Sequence, residues 1–158
     1  MKKIRKILAT ALCALLALVA VAGCASGPDL SGKTVVTLWA WGDDAEINAF
    51  TELFRDYNET NTDNIFVDFV KKPSASYYTT LETALGGREP PDLFYVGDSN
   101  VKRYAANYME DLRPYIEESD VIDLDDIWGT LMERYIFDTE TYRYSEDAPV
   151  WGLPKDIG

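Results

Sequence analysis

Between residues 34 and 108 the hydrophobic pattern switches three times from a strand-type run to a helix-type repeat, and few folds accommodate that order. The first run, Thr34-Val-Val-Thr-Leu-Trp-Ala-Trp41, is β-branched and aromatic with a continuously apolar centre, as a buried strand requires. Gly42 ends it. Asp43 stands at an N-cap position with Glu46 three residues on, in capping-box spacing. Ile47, Phe50, Phe54 and Tyr57 then recur at helical intervals and define one apolar face. Ile65-Phe-Val-Asp-Phe-Val70 reads as a second strand, and Ser76 opens a second helix carrying Tyr77, Leu81 and Leu85 until Gly86-Gly87 stops it. Pro90-Pro91 leads into a third strand over residues 92–96, and Val101, Tyr104 and Tyr108 mark a third helix. A β-α-β-α-β-α order predicts an α/β fold with a largely parallel sheet covered by helices.

Beyond residue 110 the signals weaken. Residues 111–123 read as irregular, with Pro114 and several acids. Ile127, Leu131 and Tyr135 predict a further helix, with Asp123 or Asp125 near its start. Residues 142–144 and 150–153 read as two short extended pieces forming a hairpin. The chain then reaches Pro154-Lys-Asp-Ile-Gly158 with no capped helix, charged tail or return strand, which suggests a piece of a longer protein.

The N-terminus carries a different signal. Lys2, Lys3, Arg5 and Lys6 precede a nearly unbroken apolar run over residues 7–21, followed by Val21-Ala22-Gly23-Cys24. A positive start, a short apolar core and a small-residue exit are the signature of a secretory signal. The apolar run is short for a membrane span. Val-Ala-Gly-Cys resembles the bacterial lipobox, in which the cysteine sulfur receives a diacylglycerol and becomes the first residue after cleavage. The organisation expected is therefore a signal peptide at 1–23, a lipidated Cys24 with a flexible tether to residue 33, and a folded α/β region over 34–158. Buried acyl chains contribute about 0.8 kcal/mol per CH₂ to such an anchor.

Composition narrows the function. Four of the 15 basic residues lie in the signal, leaving 11 against 27 acidic ones, a net charge near −16. That disfavours nucleic acid and anionic lipid as partners. Cys13 lies in the signal core and Cys24 is the acylation site, so no disulfide is expected and the fold must rest on its core. Histidine is absent, which removes the most usual general base and zinc ligand.

In open α/β sheets ligands bind beyond the carboxyl ends of the strands. Three loops satisfy that rule: Trp39 to Asp44, with Trp41, Gly42 and Asp43; Lys71 to Ser76; and Gly97-Asp98-Ser99-Asn100. They offer aromatic faces, carboxylates, amides and hydroxyls, which suits a neutral polyol such as a sugar. No glycine-rich phosphate loop or basic cluster is present. Asp43 and Asp98 serve equally well as helix-start residues or ligand groups. Trp39 and Trp41 share one strand face, so one of them is expected in the core, as is one of Tyr77 and Tyr78. Trp151 could line a cleft or pack the sheet, and Lys155-Asp156 could be a ligand pair or a solvated turn. A glycosidase would need two acids set across a sugar bond, and no carboxylate pair is marked for that role. No Gly-x-Ser-x-Gly elbow, His-Glu-x-x-His or Cys-His arrangement exists. The acids at Asp123, Asp125 and Asp126 lack the register of an EF-hand loop. No enzymatic activity, cofactor or metal is expected.

Several segments together resemble the N-terminal part of bacterial ABC-transporter extracellular solute-binding lipoproteins, the sugar-binding family that includes maltose-binding protein. They are the lipobox ending at Cys24, Val36-Thr-Leu-Trp-Ala-Trp-Gly42, Pro91-Asp-Leu-Phe-Tyr-Val-Gly-Asp98 and Val150-Trp-Gly-Leu-Pro-Lys-Asp156. The resemblance implies a periplasmic-binding-protein-like, two-lobed α/β fold, with only most of the first lobe present in this chain. It implies an extracytoplasmic, lipid-anchored monomer that captures a sugar, with oligosaccharide leading, and delivers it to the transmembrane subunits of an ABC permease. The residues it assigns to the cleft are Trp41, Gly42, Asp43, Gly97, Asp98, Trp151, Lys155 and Asp156. Other readings stay open: a polyamine or other small-solute receptor of the same fold, a surface polysaccharide-capture or adhesion module, and a glycoside hydrolase. Residues 142–149 are longer than a turn before Gly-Leu-Pro needs, and could form a substrate-specific flap or a surface hairpin.

Overall fold

The computed structural model describes residues 27–155. The signal sequence, Cys24 and Asp156 lie outside the described residues. The chain divides into two compact units, residues 1–34 and 35–158. Of the first, the described part is a turn in which Lys33 N–H donates to Leu30 C=O (3.1 Å) and Gly32 takes a φ of 79°. No helix among the described residues is long and apolar enough to cross a membrane.

The second unit is built on a three-stranded sheet of order β2-β1-β3, formed by β1 (Thr34–Ala40), β2 (Ile65–Lys71) and the short β3 (Leu93–Phe94). β1 and β3 run parallel, with Leu38 opposite Leu93 and Trp39 opposite Phe94. Lys72 N–H donates to Ala40 C=O and Tyr95 N–H to Trp39 C=O, both at 2.8 Å, so the carboxyl ends of all three strands lie side by side. The expected alternation is present as α1 (Asp44–Thr60), α2 (Tyr77–Leu85, after a 3₁₀ turn at Ser74–Ser76) and α3 (Asp98–Tyr108).

Asp43 caps α1 as its spacing predicts: its carboxylate accepts from Glu46 N–H at 2.9 Å. Replacing Asp43 with alanine leaves that donor without its cap, and should lower the unfolding free energy by about 1 kcal/mol in urea titration. The apolar face of α1 packs on β2 through Phe50, Phe54 and Phe69, with Phe54 and Phe69 ring centroids 5.2 Å apart. The same helix protects the edge of the sheet. Asn58 accepts from Val67 N–H (2.7 Å) and donates to Val67 C=O (2.9 Å), and Asn61 does the same for Ile65 at 3.3 and 3.0 Å. Backbone groups that would otherwise template another strand are thereby occupied.

The core has three parts. Tyr77, Leu81 and Tyr104 are buried beneath Trp39, Trp41, Phe94 and Tyr95. Val101, Ala105 and Phe137 form a second group against Tyr135 and Trp151. Ile116, Met132, Ile136, Ala148 and Val150 form a third. Tyr77 is 1% exposed, and its hydroxyl donates to Tyr95 C=O (2.8 Å) with Trp39 C=O at 3.2 Å. It therefore ties the ends of β1 and β3 together. Tyr104, 2% exposed, donates to Glu82 Oε1 at 3.1 Å.

Burial, followed by the Glu82 carboxylate, pushes the Tyr104 phenol up to about 12, and burial also raises Tyr77. An unfolded tyrosine ionises near about pH 10. Between those values the folded chain retains protons that the unfolded chain has lost. The stability these neutral phenols confer is thus complete below about pH 10 and is lost as pH rises toward the folded-state values. In an alkaline absorbance titration, Tyr77 and Tyr104 should ionise above the usual tyrosine range, and unfolding should become easier over the same rise in pH.

After α3 the structure departs from the sequence expectation in three places. The stretch read as irregular contains a short helix, α4 (Arg113–Glu117), with Pro114 in its first turn, where a missing N–H costs nothing. The single helix expected around residues 127–135 is broken into a 3₁₀ turn (Leu124–Asp126) and α5 (Gly129–Met132). Asp123 accepts from Asp125 N–H and caps the first piece, Ile127 is extended, Trp128 is non-helical at a ψ of 120°, and Gly129 favours interruption. The break lets Leu124 and Ile127 reach the same core group as Met132 and Ile136.

The expected hairpin between residues 142–144 and 150–153 is also absent. Val150 instead forms an antiparallel bridge with Ile136. Two side chains fix that choice. Asp111 Oδ1 accepts from Val150 N–H (2.9 Å), and the Arg113 guanidinium donates to the carbonyls of Glu146 and Ala148 at 2.6–2.8 Å. Residues 138–143 close on themselves as a turn, with Tyr142 N–H donating to Asp138 C=O and Tyr142 at a φ of 55°.

Candidate functional site

An open cavity of about 650 Å³ runs along β3, from Asp92 just before the strand to the loops at the carboxyl ends of β1 and β3. Its wall combines aromatic rings from Trp41, Tyr95, Tyr108, Tyr135 and Trp151 with the charged groups of Glu46, Asp92, Asp98, Glu110, Arg134 and Lys155. Each comes from an identifiable piece of local structure. Trp41 follows the last residue of β1 and is half-buried, its ring 4.5 Å from that of Tyr77 and 5.7 Å from that of Tyr78. Tyr95 follows β3 and meets Trp41 edge-on at 5.9 Å. Trp151 follows the bridge at Val150. Its backbone N–H donates to Tyr135 C=O (2.9 Å) and its indole N–H to Phe137 C=O (2.8 Å), which locks the ring at the wall.

Gly97-Asp98 begins α3. Gly97 N–H donates to the Tyr78 hydroxyl at 3.0 Å, and a side chain at Gly97 would press on that oxygen. Asp98 accepts from Ser99 N–H (2.7 Å) and from Arg134 at 2.6 Å. Lys155 is paired with the Glu46 carboxylate, and its ammonium lies 5.4 Å from the centroid of Tyr95 and 6.0 Å from that of Phe50. A Cβ at Gly42 would collide with the Glu46 carboxylate, so glycine leaves room for Glu46 to reach back toward Lys155.

Of the sequence-derived candidates, Trp41, Gly97, Asp98, Trp151 and Lys155 meet around this one cavity. Gly42 and Asp43 lie beside it without lining it: the Asp43 carboxylate is occupied as a helix cap. The loop from Lys71 to Ser76 contributes nothing to the wall. Its lysines turn elsewhere, Lys71 to Asp44 (2.6 Å) and Lys72 to the face of Trp39 (3.7 Å). The Lys71 ammonium holds the Asp44 carboxyl below its usual range. Trp39 and Tyr77 belong to the core, and Tyr78 supports Gly97. Glu46, Asp92, Tyr95, Tyr108, Glu110, Arg134 and Tyr135 line the cavity without having been expected there from sequence, where Glu46, Tyr108 and Tyr135 read only as helix residues. Tyr95 was within reach of that reading, since it lies two residues before Gly97, near the end of the third strand. Among the described residues, no group of three or more Asp, Glu, His or Cys side chains is gathered as a metal site would be.

Comparison with known proteins places this geometry in context. Residues 41–153 match the model of the bacterial extracellular solute-binding protein family. The sugar-binding protein MalE from Xanthomonas citri is 26% identical and superimposes with a TM-score of 0.63, over 77% of this chain and 28% of its own. An ABC substrate-binding protein from Listeria monocytogenes, solved in complex with cycloalternan, is 22% identical with a TM-score of 0.60, over 68% of this chain and 27% of its own. An extracellular solute-binding protein of family 1 from Alicyclobacillus acidocaldarius is 18% identical with a TM-score of 0.60, over 77% and 28%. The two less similar structures establish the fold. A comparison with curated proteins gave no match. The chain spans 27–28% of the length of these two-lobed solved proteins. The matched region includes the carboxyl-end loops that build the cavity, and this chain belongs to the bacterial extracellular solute-binding protein family.

Proposed function

We propose that this protein captures a carbohydrate outside the cytoplasm, with an oligosaccharide as its solute, and delivers it to an ABC-type permease. The observation that supports this most is the mixed wall of the cavity. Trp41, Tyr95, Tyr108, Tyr135 and Trp151 line it together with the acids Glu46, Asp92, Asp98 and Glu110 and with Arg134. A pyranose has the matching character, with C–H faces that stack on rings and equatorial hydroxyls that both donate and accept. A cavity of about 650 Å³ is within the range of small-molecule sites. The sugar-binding relative from Xanthomonas citri points the same way.

In this reading the protein acts as a monomeric receptor without catalytic chemistry, held at the membrane through acylated Cys24. A second lobe closes over the solute, shifting an open–closed equilibrium. Trp41, Gly97, Asp98, Trp151 and Lys155 line this lobe's side, joined by Tyr95, Arg134 and Glu46. Gly42 and Asp43 shape the same loop, and Asp156 continues the Lys155 segment. A thermal-shift panel of mono- and oligosaccharides, with spermidine and glycerol phosphate included, tests the proposal. A ligand at one hundred times its dissociation constant stabilises the folded state by about 2.7 kcal/mol, so a cognate sugar should raise Tm measurably. A shift with spermidine alone would replace the sugar by a polyamine, and no shift with any glycan would refute the carbohydrate reading.

A further inference from the structure

We infer that the cavity discriminates by charge, accepting an uncharged glycan and refusing sugars that carry a carboxylate or sulfate. The inference rests on the carbohydrate reading and concerns which carbohydrates are admitted. Six charged side chains line the wall, the acids Glu46, Asp92, Asp98 and Glu110 and the cations Arg134 and Lys155. Both cations are already matched. Arg134 holds Asp98 at 2.6 Å and Lys155 holds Glu46. Asp92, which directly precedes β3, accepts from Thr37 N–H at 2.8 Å. Counted together the wall carries two more acids than bases.

An anionic sugar would have to displace Asp98 from Arg134, or Glu46 from Lys155, to find a counter-charge. It would then leave the displaced carboxylate close to its own. A neutral glycan needs neither exchange. A guanidinium paired through one nitrogen still has N–H groups to offer a hydroxyl, and a carboxylate has lone pairs left to accept one. The surplus acids therefore serve as hydroxyl acceptors toward a neutral sugar and as a repulsive element toward an acidic one, the second half of specificity.

Isothermal titration of the purified protein with matched pairs tests the inference. Glucose, galactose and mannose oligomers are compared with equal-length oligomers bearing the corresponding uronic acid, and spermidine forms a third arm. In the pair that binds, the neutral member should bind at least tenfold more tightly. Asp98→Asn retains the acceptor for Ser99 N–H while releasing Arg134, and should narrow that gap at least threefold. Glu110→Gln removes surplus charge without breaking an ion pair among the described residues, and should narrow it in the same direction. Equal or tighter binding of the acidic member in the wild type would overturn the inference while leaving the carbohydrate reading intact. A gap unchanged in both variants would equally overturn it. Binding of spermidine without any glycan, or silence to every glycan in a folded sample, would remove the carbohydrate reading and this inference together.

Discussion

Tyr77→Ala is expected to lower the unfolding free energy by about 3–5 kcal/mol, the range for removing a buried aromatic ring. Tyr77 is the side chain on which the sheet, α2 and Trp41 converge. Its ring is buried with Leu81 and Tyr104, and packs at a tilt against Trp41 and edge-on against Tyr78. Its hydroxyl is shared between the carbonyls at the ends of β1 and β3. Alanine removes all three at once and leaves a cavity where the two strand ends meet. Tyr77→Phe keeps the ring and should cost only about 1 kcal/mol, the net value of one hydrogen bond plus some desolvation of the orphaned carbonyl. Chemical denaturation of the two variants separates ring from hydroxyl. Similar losses in both would show that the hydroxyl bridge, and not the packing, holds the strand ends.

Trp41→Ala should weaken carbohydrate binding by about 30-fold, equivalent to about 2 kcal/mol, the scale of an aromatic anchor at a binding site. Trp41 is half-buried, so one part of its ring packs on the tyrosines and the remainder is presented to the cavity. Trp41→Phe should recover most of the affinity, because a sugar face stacks on either ring. Circular dichroism accompanies both variants, since Trp41 also contacts Tyr77 and Tyr95. Affinity unchanged in a folded alanine variant would place the solute elsewhere on the wall.

The first half of the fold was legible because its signals are local. A capping residue and its partner stand three positions apart at Asp43 and Glu46, and the apolar faces of α1, α2 and α3 repeat within single helices. The carboxyl-end rule then located Trp41, Gly97 and Asp98 without any knowledge of tertiary contacts. The second half was less legible because distant groups decide it. Val150 pairs with Ile136 because Asp111 and Arg113, well upstream, hold residues 146–150 in place. No pattern within 142–153 announces that choice.

The charged half of the cavity is non-local in the same way. Asp98 and Arg134 are 36 positions apart, and Glu46 and Lys155 are 109 apart. In sequence Glu46 read only as a capping-box residue and Arg134 sat on an expected helix. Their pairing follows from the sheet bringing α1, α3 and the segment after Val150 to one end. Lys155 was found for its position behind an apolar strand, but its role as a partner of Glu46 depends on Gly42 leaving that carboxylate room.

The central claim is that the aromatic and charged cavity at the carboxyl end of the sheet holds a glycan. Isothermal titration of the purified protein against mono- and oligosaccharides, wild type beside Trp41→Ala and Trp151→Ala, tests it most directly. The account predicts saturable one-to-one binding of one neutral glycan class, weakened at least tenfold by either substitution in folded protein. Absence of glycan binding in a folded wild type, or glycan binding indifferent to both tryptophans, would contradict it.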